Sequence, residues 1–293
     1  MQHDDPHDHG LAHDLGRLRQ QTLERRGALR WLLGAGAGMV AGGSALTLMG
    51  CGGGGSDGSS TAAASTTGTT GSTGSSTSGC SVIPNETEGP YPGDGSNSAN
   101  GSIANALALT GIVRSDIRAS IAGASGVATG VPLQVIIELV NTNASCADLS
   151  GYAIYLWHCD ALGRYSMYSS GVTAENYLRG VQATGSDGLA SFQTIYPGCY
   201  AGRVPHLHFE IYRSTTTATN WNNKLRTSQL CFPAEVNTAV YATSGYGQSA
   251  ANNAAISLSR DGIFSDGYAT QMATVTGSAS AGYVATLRVG ISA

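Results

Sequence analysis

The residues best suited to chemistry in this chain are two histidines separated by one leucine, in the run His206-Leu207-His208. The chain has seven histidines, and beyond residue 50 only His158 accompanies this pair. Tyr200 stands a short distance upstream of His206. Residues i and i+2 of a strand face the same side, so both imidazoles can reach one point. The pattern predicts a metal site on a β-scaffold, with tyrosine phenolate oxygens completing the ligand set.

The start of the chain has the pattern of an export signal. Arg25 and Arg26 precede an apolar, Gly/Ala-rich stretch, which is the order of a twin-arginine signal over residues 1–50. The apolar stretch is short and glycine-rich for a permanent membrane span. Histidine-rich tracts can bind metal, but the favoured interpretation of the four early histidines is an unstructured leader. They are His3, His7, His9 and His13.

The signal ends in Leu48-Met49-Gly50-Cys51, which resembles a bacterial lipoprotein processing site, although Met49 is not the usual small residue there. We expect Cys51 to be lipidated and to anchor an exported protein at the membrane, in the periplasm or at the cell surface. The alternative is cleavage by an ordinary signal peptidase, which would leave Cys51 an incidental thiol. Residues 51–79 are almost entirely Gly, Ser, Thr and Ala and are predicted to form a flexible linker.

Residues 80–293 are long enough for one domain with a substantial core. The net charge of the chain is −4 and basic clusters are lacking, so nucleic acid is not an expected partner. Outside the cytoplasm, five cysteines of this domain allow up to two disulfides and leave one thiol; the pairing stays open. They are Cys80, Cys146, Cys159, Cys199 and Cys231, and their spacing fits no zinc-finger pattern.

The domain is predicted to be all-β, a sandwich with irregular loops. Clusters of Gly, Asp, Asn and Ser separate segments rich in β-branched and aromatic residues, without strand-helix alternation. Residues 235–242 and 249–256 are weak helix candidates. A strand-turn unit is expected over residues 178–200. The other strand-like segments are 107–114, 133–140, 152–158, 189–194, 206–212, 227–232, 271–276 and 283–291.

Several motifs resemble the intradiol ring-cleavage dioxygenases, the family of catechol and protocatechuate dioxygenases. The resemblance runs from about residue 86 to 232 and matches an exported subgroup better than the cytoplasmic enzymes. The motifs are Thr87-Glu88-Gly89-Pro90-Tyr91, Trp157-His158, Gly163-Arg164-Tyr165, Pro197-Gly198-Cys199-Tyr200, Arg203-Val204-Pro205-His206-Leu207-His208-Phe209 and Thr227-Ser228-Gln229-Leu230.

The resemblance implies one mononuclear non-haem Fe(III) ion bound by Tyr165, Tyr200, His206 and His208. It further implies that Arg203 is the active-site cation, that Gln229 lies in the oxygen pocket, and that Tyr200 leaves the iron and acts as a general base. Gly89, Pro90 and Tyr91 would line the substrate pocket.

The residue types suit this chemistry. Phenolates are hard, anionic donors that stabilise Fe(III), and a trivalent metal ionises a tyrosine whose ordinary pKa is about 10. This set differs from the two-His, one-carboxylate triad that holds Fe(II). The resemblance therefore implies that O2 opens the ring of a small aromatic diol between its two hydroxyl-bearing carbons, giving a muconate-type diacid.

Other interpretations remain open at this point. Tyr165 can be an ordinary core residue, Arg203 can merely pair with a carboxylate, and Glu210 can be a partner of the site or a solvated strand residue. The remaining roles expected are packing for Tyr168 and Tyr196, a structural part for His158, and core positions for Leu207, Phe209 and Ile211. Two further functions are a surface-anchored binding module without catalysis and a zinc or copper site on His206 and His208. The sequence leaves the oligomeric state open.

Overall fold

The structure, a computed structural model, describes residues 80–293. The predicted signal, the linker and the proposed lipidation at Cys51 lie outside the described residues and stay predictions. No helix within the described part is long and apolar enough to cross a membrane.

Eleven strands and two short helices make up the regular structure of residues 80–293. The helices are α1 (Ala234–Tyr241) and α2 (Ser249–Ala254). The strands are β1 (Asp94–Ala99), β2 (Ser102–Asn105), β3 (Pro132–Asn141), β4 (Ala147–Asp148), β5 (Ala153–Trp157), β6 (Arg179–Ala183), β7 (Leu189–Ile195), β8 (His206–Tyr212), β9 (Arg226–Cys231), β10 (Thr274–Ser278) and β11 (Gly282–Ile291).

Two sheets pack face to face as the predicted β-sandwich. One is antiparallel with the order β6-β5-β8-β9, and the other runs β10-β11-β3-β4 with β7 also paired to β3. β11 and β3 are parallel, and β1 and β2 form a separate hairpin. Alternate residues of β8 (Leu207, Phe209 and Ile211) join one buried apolar cluster with alternate residues of β3 such as Val135 and Ile137. The predicted core positions of β8 are therefore confirmed.

The prediction of a strand over residues 107–114 is wrong. The segment begins in the 3-10 turn Ala106–Ala108 and then bends at Gly111, whose φ is +89°; Val113 forms only an isolated bridge to Val181. The β-branched residues predicted a strand, but the turn at Thr110-Gly111 overrides that preference. The β1–β2 hairpin was missed because its polar sequence, with Gly95 in the left-handed region, has no apolar alternation.

One disulfide joins Cys80 to Cys146, whose Cα atoms are 5.7 Å apart. It links the first described residue to the turn between β3 and β4. Cys159, Cys199 and Cys231 are free and buried, so one of the two allowed disulfides forms in the described part of the chain.

Replacing Cys80 and Cys146 together by serine is expected to lower the free energy of unfolding by about 2–4 kcal/mol. The bond closes a loop with a sequence separation of 66 and so restricts the unfolded chain. Urea unfolding of the wild type and the double variant, each with and without reductant, measures this. Reductant should lower the wild-type midpoint to that of the variant and leave the variant unchanged. A wild-type midpoint insensitive to reductant would contradict the prediction.

Candidate metal centre

The two histidines lie on the face of β8 that points away from the sandwich core. His208 pairs with Trp157 of β5 on one side and with Gln229 of β9 on the other. The His208 ring stacks on the Trp157 ring with centroids 4.9 Å apart and planes 12° apart. Because β8 is an interior strand of its sheet, backbone pairing on both sides fixes the direction of both imidazoles.

Two loops at the same end of the sheet supply the tyrosines. Tyr165 follows a turn after β5, in which Asp160 accepts hydrogen bonds from the backbone N–H groups of Leu162 and Arg164. Tyr200 follows β7, and the backbone N–H of Gly198 donates to the Asp160 carbonyl over 3.0 Å.

The two tyrosine loops touch at glycines. A Cβ on Gly198 would lie 2.6 Å from the carbonyl oxygen of Ala161, and a Cβ on Gly163 would lie 3.2 Å from Cβ of Tyr200. Glycine at these two positions lets the loops approach closely enough for Tyr165 and Tyr200 to face the histidines.

The four predicted ligand side chains converge. The Nε2 atoms of His206 and His208 are 3.1 Å apart, and the Tyr200 hydroxyl is 3.1 Å from His206 Nε2. The Tyr165 hydroxyl is 3.5 Å from His206 Nε2 and 3.3 Å from His208 Nε2. Donors about 2.0–2.1 Å from one metal ion in tetrahedral geometry lie about 3.3 Å from one another. The spacing of the donors therefore suits a common cation.

The protonation states also suit a cation. Nδ1 of His206 lies 2.6 Å from the carbonyl oxygen of Val204, which can only accept, so Nδ1 carries the proton and Nε2 presents a lone pair. Burial lowers the pKa of His206 and of His208 well below the ordinary value, and burial raises the pKa of Tyr165 and of Tyr200. Neutral imidazoles thus face phenols that only a nearby positive charge would ionise.

This donor set is unlike the common metal clusters. Among residues 80–293, no group of three or more His, Cys, Asp or Glu side chains is placed to hold a metal ion. The converging set has two imidazoles and two phenols instead. Tyr165 is 2% exposed and Tyr200 is half-buried, so Tyr200 is the ligand candidate nearer to solvent.

Arg203 reaches the same cluster. Its Nε is within 3.0 and 3.1 Å of the two carboxylate oxygens of Asp261, and its Nη2 donates to Oε1 of Gln229 over 2.7 Å. Its Nη1 is 3.4 Å from Nε2 of His206. Arg203 therefore both pairs with a carboxylate and faces the donor cluster. Sequence reasoning missed Asp261, because a single aspartate in a polar turn carries no recognisable signal.

The predicted substrate segment lies over the same cluster. A Cβ on Gly89 would come within 3.5 Å of Cε1 of His208, and the Tyr91 ring is 4.9 Å from the Tyr165 ring. Nε2 of Gln229 donates to the carbonyl of Thr87 over 3.1 Å. Pro90 lies between these contacts, and its carbonyl accepts from Asn97. The segment thus forms one wall beside the histidines.

A buried arginine, which sequence reasoning also missed, ties this wall to the Tyr165 loop. Nη2 of Arg179 donates to the carbonyls of Tyr91 and Ser166, and Nη1 donates to the carbonyl of Pro92 and the hydroxyl of Tyr155. Nε donates to the Ser166 hydroxyl. All five guanidinium hydrogens are therefore used, and the wall and the loop are held together.

The three residues expected to have packing or structural roles, His158, Tyr168 and Tyr196, do not contribute atoms to the donor cluster. His158 is buried, with Nε2 2.7 Å from the Thr194 hydroxyl and Nδ1 2.8 Å from the carbonyl of Cys159. Tyr196 lies in the sandwich core, and Tyr168 bonds to Gly93 and Asn97 beside Tyr91.

Glu210 is a buried residue, so the solvated alternative is wrong. It accepts hydrogen bonds from Lys224 over 2.9 Å and from Tyr212 over 2.6 Å. Burial raises its pKa to about 7, with repulsion from Asp94 adding to the shift.

Part of the chain matches a known protein family. Residues 118–206 match a family described as Dioxygenase. No curated protein sequence matches the chain significantly.

Two solved structures share the fold. An intradiol ring-cleavage dioxygenase from Tetranychus urticae is 24% identical, with 72% of this chain and 95% of that chain covered and a TM-score of 0.55. Another dioxygenase crystal structure is 24% identical, with coverage of 72% and 94% and a TM-score of 0.54. The dioxygenase domain of a carbohydrate-binding fusion protein from Streptomyces sp. SirexAA-E is 23% identical, with coverage of 72% and 98% and a TM-score of 0.44.

Residues 118–206 match the dioxygenase family, and the chain shares its fold with a solved intradiol ring-cleavage dioxygenase. The resemblance drawn from its motifs is confirmed.

Substituting Gly198→Ala is expected to separate the two tyrosine loops. The added methyl would meet backbone atoms of Ala161 and Gly163 at 2.6 and 2.7 Å, which cannot rotate away. We expect a loss of about 1–3 kcal/mol in unfolding free energy, as for overpacked sites, and a changed near-ultraviolet tyrosine signal. Ala201→Ser, at an exposed position of the same loop, is the matched control. Equal stability of the Gly198 variant and the control would refute the close contact.

His158 is expected to make the fold less stable in acid. Burial lowers its pKa from 6.5 to about 4. The unfolded chain therefore binds a proton that the folded chain rejects as pH falls from about 6.5 to about 4, and stability falls with it. His206 and His208 act in the same direction, so the informative quantity is a difference between proteins. Between about pH 7.5 and about pH 5, His158→Gln should lose about 2 kcal/mol less stability than the wild type in urea unfolding. Identical pH dependence would show that His158 does not contribute.

Proposed function

We propose that this protein is an exported, Fe(III)-dependent intradiol dioxygenase that uses O2 to open a catecholic ring between its two hydroxyl-bearing carbons, giving a muconate-type diacid. The observation that carries the proposal is the convergence of two phenol oxygens and two imidazole nitrogens at 3.1–3.5 Å spacing. Tyr165, Tyr200, His206 and His208 would hold the iron. Bound Fe(III) would activate the catechol ring toward O2.

Tyr200 is proposed to take a proton from a catechol hydroxyl. It is half-buried, whereas Tyr165 is 2% exposed, so Tyr200 has more room to move toward an incoming substrate. Burial raises the pKa of Tyr200, so its phenolate would be a strong base toward a catechol hydroxyl. Tyr165, enclosed by the Tyr91 ring and the histidines, would remain in place.

Arg203 and the segment Gly89–Tyr91 are proposed to receive the substrate. Nη1 of Arg203 faces the donor cluster and would stabilise negative charge that develops on the ring and its oxygens. A fixed cation in a site shielded from water contributes about 10²–10³ in rate. Gln229 would hold Arg203 and the segment that contains Gly89–Tyr91 in fixed relative positions, because its side-chain amide bonds to Arg203 and to the carbonyl of Thr87.

Export is proposed from the sequence and is supported by one contact in the fold. The twin-arginine pattern before residue 50 and the Gly/Ser/Thr-rich tether indicate an exported protein with a lipid anchor at Cys51. The disulfide between Cys80 and Cys146 supports this location, because disulfides persist mainly in oxidising compartments.

The purified protein should contain about one iron per chain and be red-brown, because Fe(III) bound by phenolate absorbs visible light. Oxygen-uptake measurements over a panel of catechols, with ultraviolet spectra of the products, test the reaction directly. Iron-loaded protein that consumes no O2 with any catechol would refute the proposed activity. Colourless protein with zinc or copper on His206 and His208 would favour a zinc or copper site. Colourless protein with no metal would favour a surface-anchored binding module without catalysis.

Tyr200→Phe is expected to change the visible spectrum and to lower turnover by about 10²–10⁴-fold, because it removes both an iron ligand and a general base. Tyr168→Phe is the matched control: it removes a nearby hydroxyl that bonds to Gly93 and Asn97 but not to the donor cluster. The control should keep the colour of the wild type. Unchanged turnover in Tyr200→Phe would remove Tyr200 from the mechanism.

A further inference from the structure

We propose that Asp261 is a positioning residue that sets the orientation of Arg203 at the metal centre. The inference rests on the proposed function, since it assigns a task to the arginine of that site. Asp261 lies between the 3-10 turns Leu258–Arg260 and Phe264–Asp266, beyond the stretch that matches the dioxygenase family.

Asp261 is enclosed by donors. It is fully buried, and its two oxygens accept from Nε of Arg203 at 3.1 and 3.0 Å. They also accept from the backbone N–H groups of Val204 at 2.8 Å, Ile263 at 2.9 Å and Phe264 at 3.3 Å. The carboxylate is thus bound to its own turn and to the residue next to Arg203, so it cannot move without disturbing both segments.

These contacts leave one guanidinium nitrogen of Arg203, Nη1, to face the donor cluster. Asp261 holds Nε, and Gln229 holds Nη2 at 2.7 Å, so Nη1 alone is directed at His206 Nε2, 3.4 Å away. The guanidinium group is planar, and fixing two of its three nitrogens fixes the third. The Phe264 ring lies 5.9 Å from the guanidinium carbon and covers the group.

Charge compensation explains why an acid is needed here. Burial lowers the pKa of Arg203, but the Asp261 carboxylate and, to a smaller extent, the Tyr200 and Tyr165 side chains raise it, so the net direction is upward. A buried cation without its partner is costly. If Asp261 loses its charge, Arg203 should turn toward water or toward the polar atoms of the metal centre, and Nη1 would no longer be held in one place.

Asp261→Asn in the iron-loaded protein is expected to lower kcat by about 10–100-fold, the usual range for residues that orient a metal site, with KM changed less than about 3-fold because the charge that Arg203 stabilises develops in the transition state. Arg203→Met should lower kcat by about 10²–10³-fold. Adding Asp261→Asn to Arg203→Met should cause no further loss, because Asp261 acts through the arginine. Asp266→Asn, an exposed residue of the same segment, is the control and should match the wild type.

A merely structural role predicts a different result. The losses in kcat would then multiply in the double variant, or Asp261→Asn would keep its kcat, and either outcome would overturn the proposal. If the asparagine variant does not fold, Asp261→Glu can replace it, because glutamate keeps the charge but moves it. Asp261→Glu alone should lower kcat, and adding it to Arg203→Met should cause no further loss.

A second measurement is independent of turnover. In protein loaded with diamagnetic gallium(III), hydrogen exchange at Nε of Arg203, followed by nuclear magnetic resonance, should be slow in the wild type and in Asp266→Asn. It should be at least about 10-fold faster in the Asp261 variant, because the carboxylate that shields Nε is lost. Equal exchange rates would overturn the positioning role. If the wild type opens no catechol ring, the proposed function fails, and this measurement still decides how Arg203 is held.

Discussion

The structure depends on burying two imidazole nitrogens and two phenol oxygens around one point. Burial keeps the imidazoles neutral and the phenols protonated, and the proton on Nδ1 of His206 leaves the Nε2 lone pair directed into the cluster. Polar groups buried this closely are unfavourable unless they bond to one another or to a cation. The surrounding protein must therefore hold these groups in place, and its features follow from that requirement.

The sandwich provides a rigid base on one side and two loops on the other. β8 is hydrogen-bonded to strands on both sides, so the direction of its histidines is set by backbone pairing, and Trp157 stacks on His208. The tyrosines come from loops that meet at Gly198 with no room for a side chain. Arg179 joins one of these loops to the wall formed by the Gly89–Tyr91 segment. Rigid strands and tightly packed loops together give the close donor spacing.

Arg203 is the buried cation of this site, and groups from several segments surround it. Its guanidinium faces His206, is held by Asp261 and Gln229, and is covered by Phe264. The chain after β9 thus returns to complete a site whose other parts come from earlier segments. A fixed, partly compensated cation beside this donor cluster can stabilise charge that develops during a reaction without first having to reorient.

The sequence by itself determined the strand alternation of His206 and His208, the class of fold and the motifs that resemble the dioxygenase family, because period-two patterns and short motifs are local properties. It misassigned residues 107–114, where a glycine turn overrides apolar content, and missed the polar β1–β2 hairpin. Only the tertiary structure decided that Cys80 pairs with Cys146, that Asp261 pairs with Arg203 and that Arg179 binds the Gly89–Tyr91 segment. These contacts join residues far apart in the chain, and their partners are chosen by how the sheets and loops pack rather than by any nearby residue.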